Sequence, residues 1–361
     1  MIVTNFNEAT KPDSNACSLA IKNFGSLPNN LNGIWSSDLT NHKSKPLPFP
    51  KRLVVEILNS CNLDCPMCRV GRYGVNLKRK LPLDVFEKLI SGLADKLELI
   101  RLNGLGESTL LPDFAEYINL ILRHGLTVEL ITNGSGEIAD YELILKNKGI
   151  LLISWDAGEK HLFEALRRPA NWESYTDKLV EISNAACLNS ASDRFFLLFT
   201  LQKQNIDQLP ILVKKCREWD IKNILVNVVK SSNDSWITEN LHDIKQNMSL
   251  SYNIANMYGI SLMIPDQIGG NDLNNLETLK TSGSDCCTMP YEEAVIRWNG
   301  DVQVCNMFNP YIYGNLYLQT FDQIWNNKFA QIFRKHLNLS TKHPYCLNCV
   351  YMRDSYHCRK V

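Results

Sequence analysis

From residue 51 to about residue 231, short runs of apolar and β-branched residues alternate with longer stretches whose apolar positions recur every three or four residues. The short runs at 53–58, 97–102, 127–132, 151–155, 195–201 and 224–229 predict strands. The stretches at 83–93, 114–124 and 209–219 predict amphipathic helices. Strands alternating with helices call for βαβ units and a parallel sheet. Right-handed crossovers then curl six such units into an open barrel, so the expected fold is α/β, a partial (β/α)6 TIM-like barrel. In such barrels ligands gather at the C-terminal ends of the strands.

The flanks read differently. Residues 1–50 are rich in Asn, Ser, Pro and Lys with weak periodicity, and end in Lys45-Pro46-Leu47-Pro48-Phe49-Pro50. Prolines at that density favour an extended segment that cannot be a central strand. This N-terminal extension reads as a surface tail or as an arm that grips substrate or a second copy. The barrel is assigned to 51–235 and a polar, Asn-rich connecting segment to 236–285, with a helix near 241–258, a short strand at 260–264 and the loop Gly269-Gly270-Asn271-Asp272. The last unit, 286–361, opens with valine-rich flanks around Asn299-Gly300-Asp301, the signature of a β-hairpin with a tight turn. A helix around 321–334 follows.

Composition narrows the function classes. The 361 residues carry 38 Lys and Arg against 38 Asp and Glu, so charge gives no case for nucleic acid or an anionic membrane surface. The first residues have neither the basic nor the apolar region of a signal peptide. No apolar run reaches the ~18 residues a membrane helix needs. Twelve cysteines in a chain read this way imply metal rather than disulfides, and a reducing cytoplasm.

Three of those cysteines lie in Cys61-Asn62-Leu63-Asp64-Cys65-Pro66-Met67-Cys68, spaced C-x3-C-x2-C behind the first predicted strand. A closed structural zinc site takes four ligands, and iron–sulfur clusters normally take four thiolates. Three thiolates on one loop suggest a metal centre with a position left open; a zinc knuckle or a redox C-x-x-C is the plainer alternative. The spacing resembles the cluster loop of the radical S-adenosylmethionine (SAM) superfamily, although Met67 stands where that family usually has an aromatic residue. The resemblance implies a [4Fe–4S] cluster on Cys61, Cys65 and Cys68 whose open iron is chelated by SAM. It also implies reductive cleavage of SAM to a 5′-deoxyadenosyl radical that abstracts a substrate hydrogen. On the same resemblance Gly104, Gly106 and Glu107 of Asn103-Gly104-Leu105-Gly106-Glu107 match the element that holds the SAM amine. Asn133, in Thr132-Asn133-Gly134, would meet the SAM carboxylate or ribose, and Ser154 and Asp156 the ribose or substrate. Read without the family, Asn133-Gly134 is a turn signal and Asp156 a helix N-cap. Arg167 and Arg168 would bind a carboxylate or simply be solvated.

A second frame comprises Cys287, Cys305, Cys346 and Cys349, with Cys286 as an alternative to Cys287. Together with the hairpin, Gly314-Asn315-Leu316 and a helix bearing Trp325, it resembles the twitch or SPASM-type extension of radical SAM enzymes. The resemblance implies one auxiliary [4Fe–4S] cluster; a zinc ribbon on the same ligands is the alternative. Oxidation of a sugar, aminocyclitol or peptide is the leading expectation, fed by an electron donor such as flavodoxin or ferredoxin. The competing readings are epimerisation with Cys358 or Cys286 as hydrogen donor, peptide crosslinking, and a non-enzymatic zinc or cluster protein. Cys187 and Cys216 read as small buried hydrophobes.

Overall fold

The computed structural model describes residues 48–68, 79–229, 235–265, 267–268, 271–272, 287, 289–305, 311–337, 339, 342–343, 346 and 349. The expectations for residues 1–47, for Gly269-Gly270, and for Cys17, Cys286 and Cys358 lie outside the described residues.

One ten-stranded sheet organises the chain. Its strands are β1 (Arg52–Val55), β2 (Leu99–Leu102), β3 (Thr127–Thr132), β4 (Ile150–Ser154), β5 (Phe195–Leu201), β6 (Asn223–Val228), β7 (Ser261–Met263), β8 (Glu293–Ile296), β9 (Asp301–Gln303) and β10 (Ile312–Asn315). They lie in the order β10-β9-β8-β1-β2-β3-β4-β5-β6-β7. From β8 through β7 every neighbouring pair is parallel, whereas β8–β9 and β9–β10 are antiparallel. The α/β barrel fold read from the pattern is therefore present, with β1 to β6 as its six predicted strands.

The helices include α1 (Leu83–Leu93), α2 (Phe114–Arg123), α3 (Ile138–Lys146), α4 (Lys160–Leu166), α5 (Trp172–Leu188), α6 (Gln208–Glu218), α7 (Leu241–Tyr258), α8 (Phe321–Trp325) and α9 (Lys328–Leu337). No helix among the described residues is long and apolar enough to cross a membrane. Side chains on a strand alternate between faces. One face carries Leu53, Val55, Ile100, Leu102, Val128, Leu130, Ile153, Leu197, Phe199, Ile224 and Val226, all fully buried in a single apolar core with the inner faces of the helices. The opposite face is only partly covered: Arg101, Ile131, Ser154, Phe196, Thr200 and Leu225 are half-buried there.

Three features depart from the pattern reading. The run 53–58 does not stay one strand: β1 ends at Val55, and Leu58–Asn59 turns away to pair with Arg79–Lys80. The short strand expected in the connecting segment is β7, a seventh parallel strand on β6. The helix expected at 321–334 is two helices, because Asn327 interrupts it; its Oδ1 accepts the Ala330 N–H while its Nδ2 donates to the Tyr313 carbonyl. The preceding α8 is fixed by a capping box between Thr320 and Gln323.

The hairpin joins the barrel sheet directly. Arg52 to Val55 run in register with Glu293 to Ile296 on one side and with Leu99 to Leu102 on the other. Residues 48–50 pack inward as well: the Pro48 carbonyl accepts Trp325 Nε1 at 2.9 Å, and Phe49 lies 6.1 Å from Phe321. Ile296, fully buried in the common core, therefore belongs energetically to the barrel. Ile296→Ala should cost about 2–5 kcal/mol. Denaturant melts of the variant should move as one transition; two separated transitions would contradict a shared core.

Candidate active site

The site lies where the chain leaves β1, β2 and β3. Pairing of Leu58–Asn59 with Arg79–Lys80 closes the neck of a loop that carries Cys61, Cys65 and Cys68. Cys65 is buried, and Cys61 and Cys68 are half-buried. The Leu63 N–H donates to Cys61 Sγ at 3.4 Å, the Cys68 N–H to the Cys65 carbonyl at 2.9 Å, and the Asp64 N–H to the Arg168 carbonyl at 2.5 Å. Burial pushes the Cys61 thiol up to about 11 and the Cys65 thiol up to about 12, and the neighbouring cysteines push both the same way.

The glycine loop after β2 is packed onto this neck. A side chain at Gly104 would overlap Glu56, and one at Gly106 would overlap the Leu58 carbonyl and the Ser60 backbone. Gly106 thus lets backbone lie on backbone, and Gly104 leaves room for the Glu56 side chain. The Glu107 N–H donates to the Ser60 carbonyl at 2.7 Å. Its carboxylate, on a residue only 3% exposed, accepts Thr109 Oγ1 at 2.8 Å, the Thr109 N–H at 3.3 Å, Thr132 Oγ1 at 2.7 Å and the Asn133 N–H at 2.7 Å. Three of these fall on Oε1, so Oε2 keeps the spare acceptor capacity. Burial holds the Glu107 carboxyl above the usual range despite those donors. Beside it, the buried Asn103 Oδ1 accepts no hydrogen bond among the described residues.

Asn133 joins this loop to the cysteine loop. Its Nδ2 donates to Asn62 Oδ1 at 2.9 Å and lies 3.9 Å from Cys61 Sγ, while its Oδ1 accepts the Ser135 N–H at 2.9 Å. Asn62 in turn reaches Tyr175 Oη at 3.5 Å. Gly104, Gly106, Glu107 and Asn133 are thus brought together with Cys61. Ser154 ends β4 with a half-buried side chain. Asp156 is placed otherwise than expected: it is 0% exposed, its Oδ2 accepts Arg167 Nη2 at 2.5 Å and its Oδ1 accepts the Thr200 N–H at 2.8 Å. It does not cap α4, whose N-cap is Glu159. Arg167 is buried as well, is electrostatically coupled to Cys65 and Cys68, and has an Nε with no partner among the described residues.

Sequence reasoning missed Glu56, whose carboxylate is 1% exposed. It accepts the Leu105 N–H at 2.5 Å and pairs with Arg297 Nη2 at 3.1 Å. Its signal was present: one acid inside the run Leu53-Val54-Val55-Glu56-Ile57-Leu58. Asn62 and Tyr175 carried no signal in the sequence.

The second cysteine frame lies in the C-terminal unit. Cys287, Cys305, Cys346 and Cys349 are each half-buried. The Cys346 N–H donates to the His343 carbonyl at 2.8 Å and the Cys349 N–H to the Cys346 carbonyl at 3.4 Å. Burial, with Cys349 and Cys287 adding to it, pushes the Cys346 thiol up to about 12. Cys216 is buried in α6 as expected, but Cys187 is exposed on the outer side of α5. Among the described residues no three His, Cys, Asp or Glu side chains already converge at metal-holding distance. The donor chemistry nonetheless fits iron–sulfur groups. Three thiols share one loop beside a buried guanidinium with a spare N–H, and in the second set Cys349 and Cys287 stand near enough to Cys346 to raise its thiol.

Comparison with known proteins agrees with this chemistry. Residues 55–215 match the radical SAM superfamily, and residues 286–350 match SPASM, an iron–sulfur cluster-binding domain. The tungsten-containing aldehyde ferredoxin oxidoreductase cofactor-modifying protein of Pyrococcus furiosus is 23% identical over 337 residues, covering 84% of this chain and 88% of that protein. Mycofactocin maturase MftC of Mycolicibacterium smegmatis is 21% identical over 308 residues, covering 82% of this chain and 75% of that protein. SuiB of Streptococcus suis shares the fold at 15% identity. Bound to S-adenosylmethionine it superposes with a TM-score of 0.62 over 94% of this chain and 83% of its own. Bound to its precursor peptide SuiA the TM-score is 0.60, over 98% and 79%. The two matched domains, the α/β barrel and the two thiol sets make this chain a radical SAM enzyme with a SPASM-type C-terminal domain.

Proposed function

We propose that this protein modifies a peptide by SAM-dependent radical chemistry, and that the modification is an oxidation beginning with removal of a C–H hydrogen. The observation that carries the site assignment is the convergence of Cys61, Asn62, Asn133 and Glu107 at the ends of β1, β2 and β3. Cys61, Cys65 and Cys68 are assigned as the ligands of the SAM-binding cluster, and Arg167 offsets part of their negative charge when deprotonated. Loaded with this cluster and SAM, the barrel gains a one-electron cleavage that yields a hydrogen-abstracting 5′-deoxyadenosyl radical.

The chain's own groups bind and orient. Glu107 Oε2 and the backbone of Gly104 and Gly106 are assigned to the SAM amine. Asn133 is assigned to its carboxylate or ribose, and Ser154 to ribose or substrate. Asp156 acts by holding Arg167, with both carboxylate oxygens occupied. Cys287, Cys305, Cys346 and Cys349 are assigned to one auxiliary cluster, which gives the second electron of an oxidation a place to go.

A peptide is favoured on two grounds. One relative is a maturase, and SuiB was solved with a precursor peptide. The sheet also stays open, with β7 and β10 at its two ends, and the partly covered face of β3 to β6 carries the half-buried Ile131, Phe196 and Leu225 beside Ser154 and Thr200. An extended chain can enter such an opening. External electrons would come from a flavodoxin- or ferredoxin-like donor, in a reducing compartment.

Reconstituted protein should bind about eight irons, and replacing Cys61, Cys65 and Cys68 together by Ala should leave about four; a preparation holding zinc alone would end the two-cluster reading. Glu107→Gln should keep both clusters yet weaken SAM binding in calorimetry, and unchanged affinity would remove Glu107 from the site. Replacing Cys346 and Cys349 by Ala should leave 5′-deoxyadenosine release intact while product formation stops. Followed by mass spectrometry in D2O, oxidation should yield a product lighter by about two mass units with no solvent deuterium at carbon. A product of unchanged mass in ordinary water that gains one deuterium in D2O would replace oxidation by epimerisation.

A further inference from the structure

The C-terminal unit touches the barrel at both ends of one strand pair. At the start of β1, Arg52 Nη2 meets Glu292 Oε2 at 3.4 Å, and both side chains are half-buried. At the other end the Glu56 N–H donates to the Ile296 carbonyl at 2.8 Å, and the Glu56 side chain turns into the protein, 1% exposed. Its carboxylate stands between two distant segments. On one side Arg297 Nη2, from the residue after β8, lies 3.1 Å from Oε2. On the other, the same Oε2 accepts the Leu105 N–H at 2.5 Å, in the middle of the loop Gly104-Leu105-Gly106. Asn59 Nδ2 approaches Oε1 at 3.4 Å. Gly104 has no side chain because Glu56 fills that space. One residue further along the hairpin, the Trp298 ring lies 5.4 Å from the Arg79 guanidinium at the neck of the cysteine loop.

A carboxylate this deeply buried is costly unless paired and hydrogen-bonded. Arg297 supplies the pairing charge and Leu105 a strong, charge-assisted hydrogen bond. The two contacts depend on each other: the arginine favours the ionised carboxylate, and the ionised carboxylate holds the Leu105 N–H best. From this we infer that the Arg297–Glu56 pair is a positioning device by which the C-terminal unit sets the glycine loop in its SAM-holding shape. The inference rests on the reading of Gly104, Gly106 and Glu107 as the SAM amine site. It makes SAM affinity a property of residues on both sides of the chain, 241 positions apart.

The test uses reconstituted full-length protein and SAM itself, with binding measured by calorimetry beside iron content. Glu56→Gln keeps an acceptor for Leu105 but loses the charge; Arg297→Gln removes the pairing cation. Both should keep wild-type iron and weaken SAM binding at least about tenfold, as expected for one charge-assisted hydrogen bond. The double variant should be no weaker than either single one, because they remove the same coupling. Arg297→Lys should recover part of the loss. Arg52→Gln, which cuts a different ion pair between the same two units, should bind SAM as wild type does. Unchanged affinity in both Glu56→Gln and Arg297→Gln would overturn the inference. So would an equal loss in Arg52→Gln, or iron lost together with affinity, which would assign the pair to the cysteine loop instead. If wild-type protein binds no SAM, the proposed function fails first, and that outcome is distinct from these.

Discussion

Close packing of the glycine loop on the chain leading into Cys61 is the constraint from which the site follows. The loop after β2 rests on the chain leading into Cys61 so closely that neither Gly104 nor Gly106 can carry a side chain. That contact is closed by the Glu107 N–H on the Ser60 carbonyl and by the Glu107 carboxylate on Thr132 and Asn133. Three strand ends are thereby fixed relative to one another by one residue. A buried carboxylate with four donors has little freedom left, so the geometry around it is preorganised before any ligand arrives. The same burial that raises the cost of its charge makes the arrangement intolerant of slack.

The second consequence concerns where the barrel ends. Without β8, β1 would be an edge strand with its backbone groups open on one side. With β8 in register along its whole length, β1 is an interior strand, and the cysteine loop leaves a rigid support. Arg334 serves the same end within the C-terminal unit: its guanidinium donates to the Pro290 and Trp325 carbonyls at 2.8 Å each and stacks over the Trp325 ring at 3.9 Å. Trp325 then reaches back to Pro48. Residues 48–50 and the C-terminal unit are therefore packed near β1.

Periodicity made the framework legible. The strands at 127–132 and 195–201 and the helices at 83–93 and 241–258 stand where the apolar pattern placed them, since burial under helices and hydrophobic spacing are the same constraint. The cysteine spacings were legible because few other chemistries need them. What the pattern could not convey was pairing at a distance. The glycines at 104 and 106 were read from a local element, yet Glu56, Leu58 and Ser60, far back in the sequence, occupy the space their side chains would need. Asp156 was read from the family resemblance as meeting ribose or substrate; Arg167, eleven residues on, pairs with it in the interior. The break at Asn327 was hidden because Asn is tolerated in a helix pattern, and only its contact with Tyr313 makes it a cap. Glu56 was visible as an acid in an apolar run, but its partner Arg297 lies far beyond any local window.

The account stands most directly on whether SAM binds at an iron–sulfur cluster held by the loop of Cys61, Cys65 and Cys68. Electron paramagnetic resonance of the reduced, reconstituted protein, recorded with and without SAM, reads this. The result predicted is a reduced-cluster signal whose shape changes on adding SAM, with the SAM-responsive component absent when the three cysteines are replaced by alanine. A spectrum indifferent to SAM in the fully loaded wild-type protein would contradict the account.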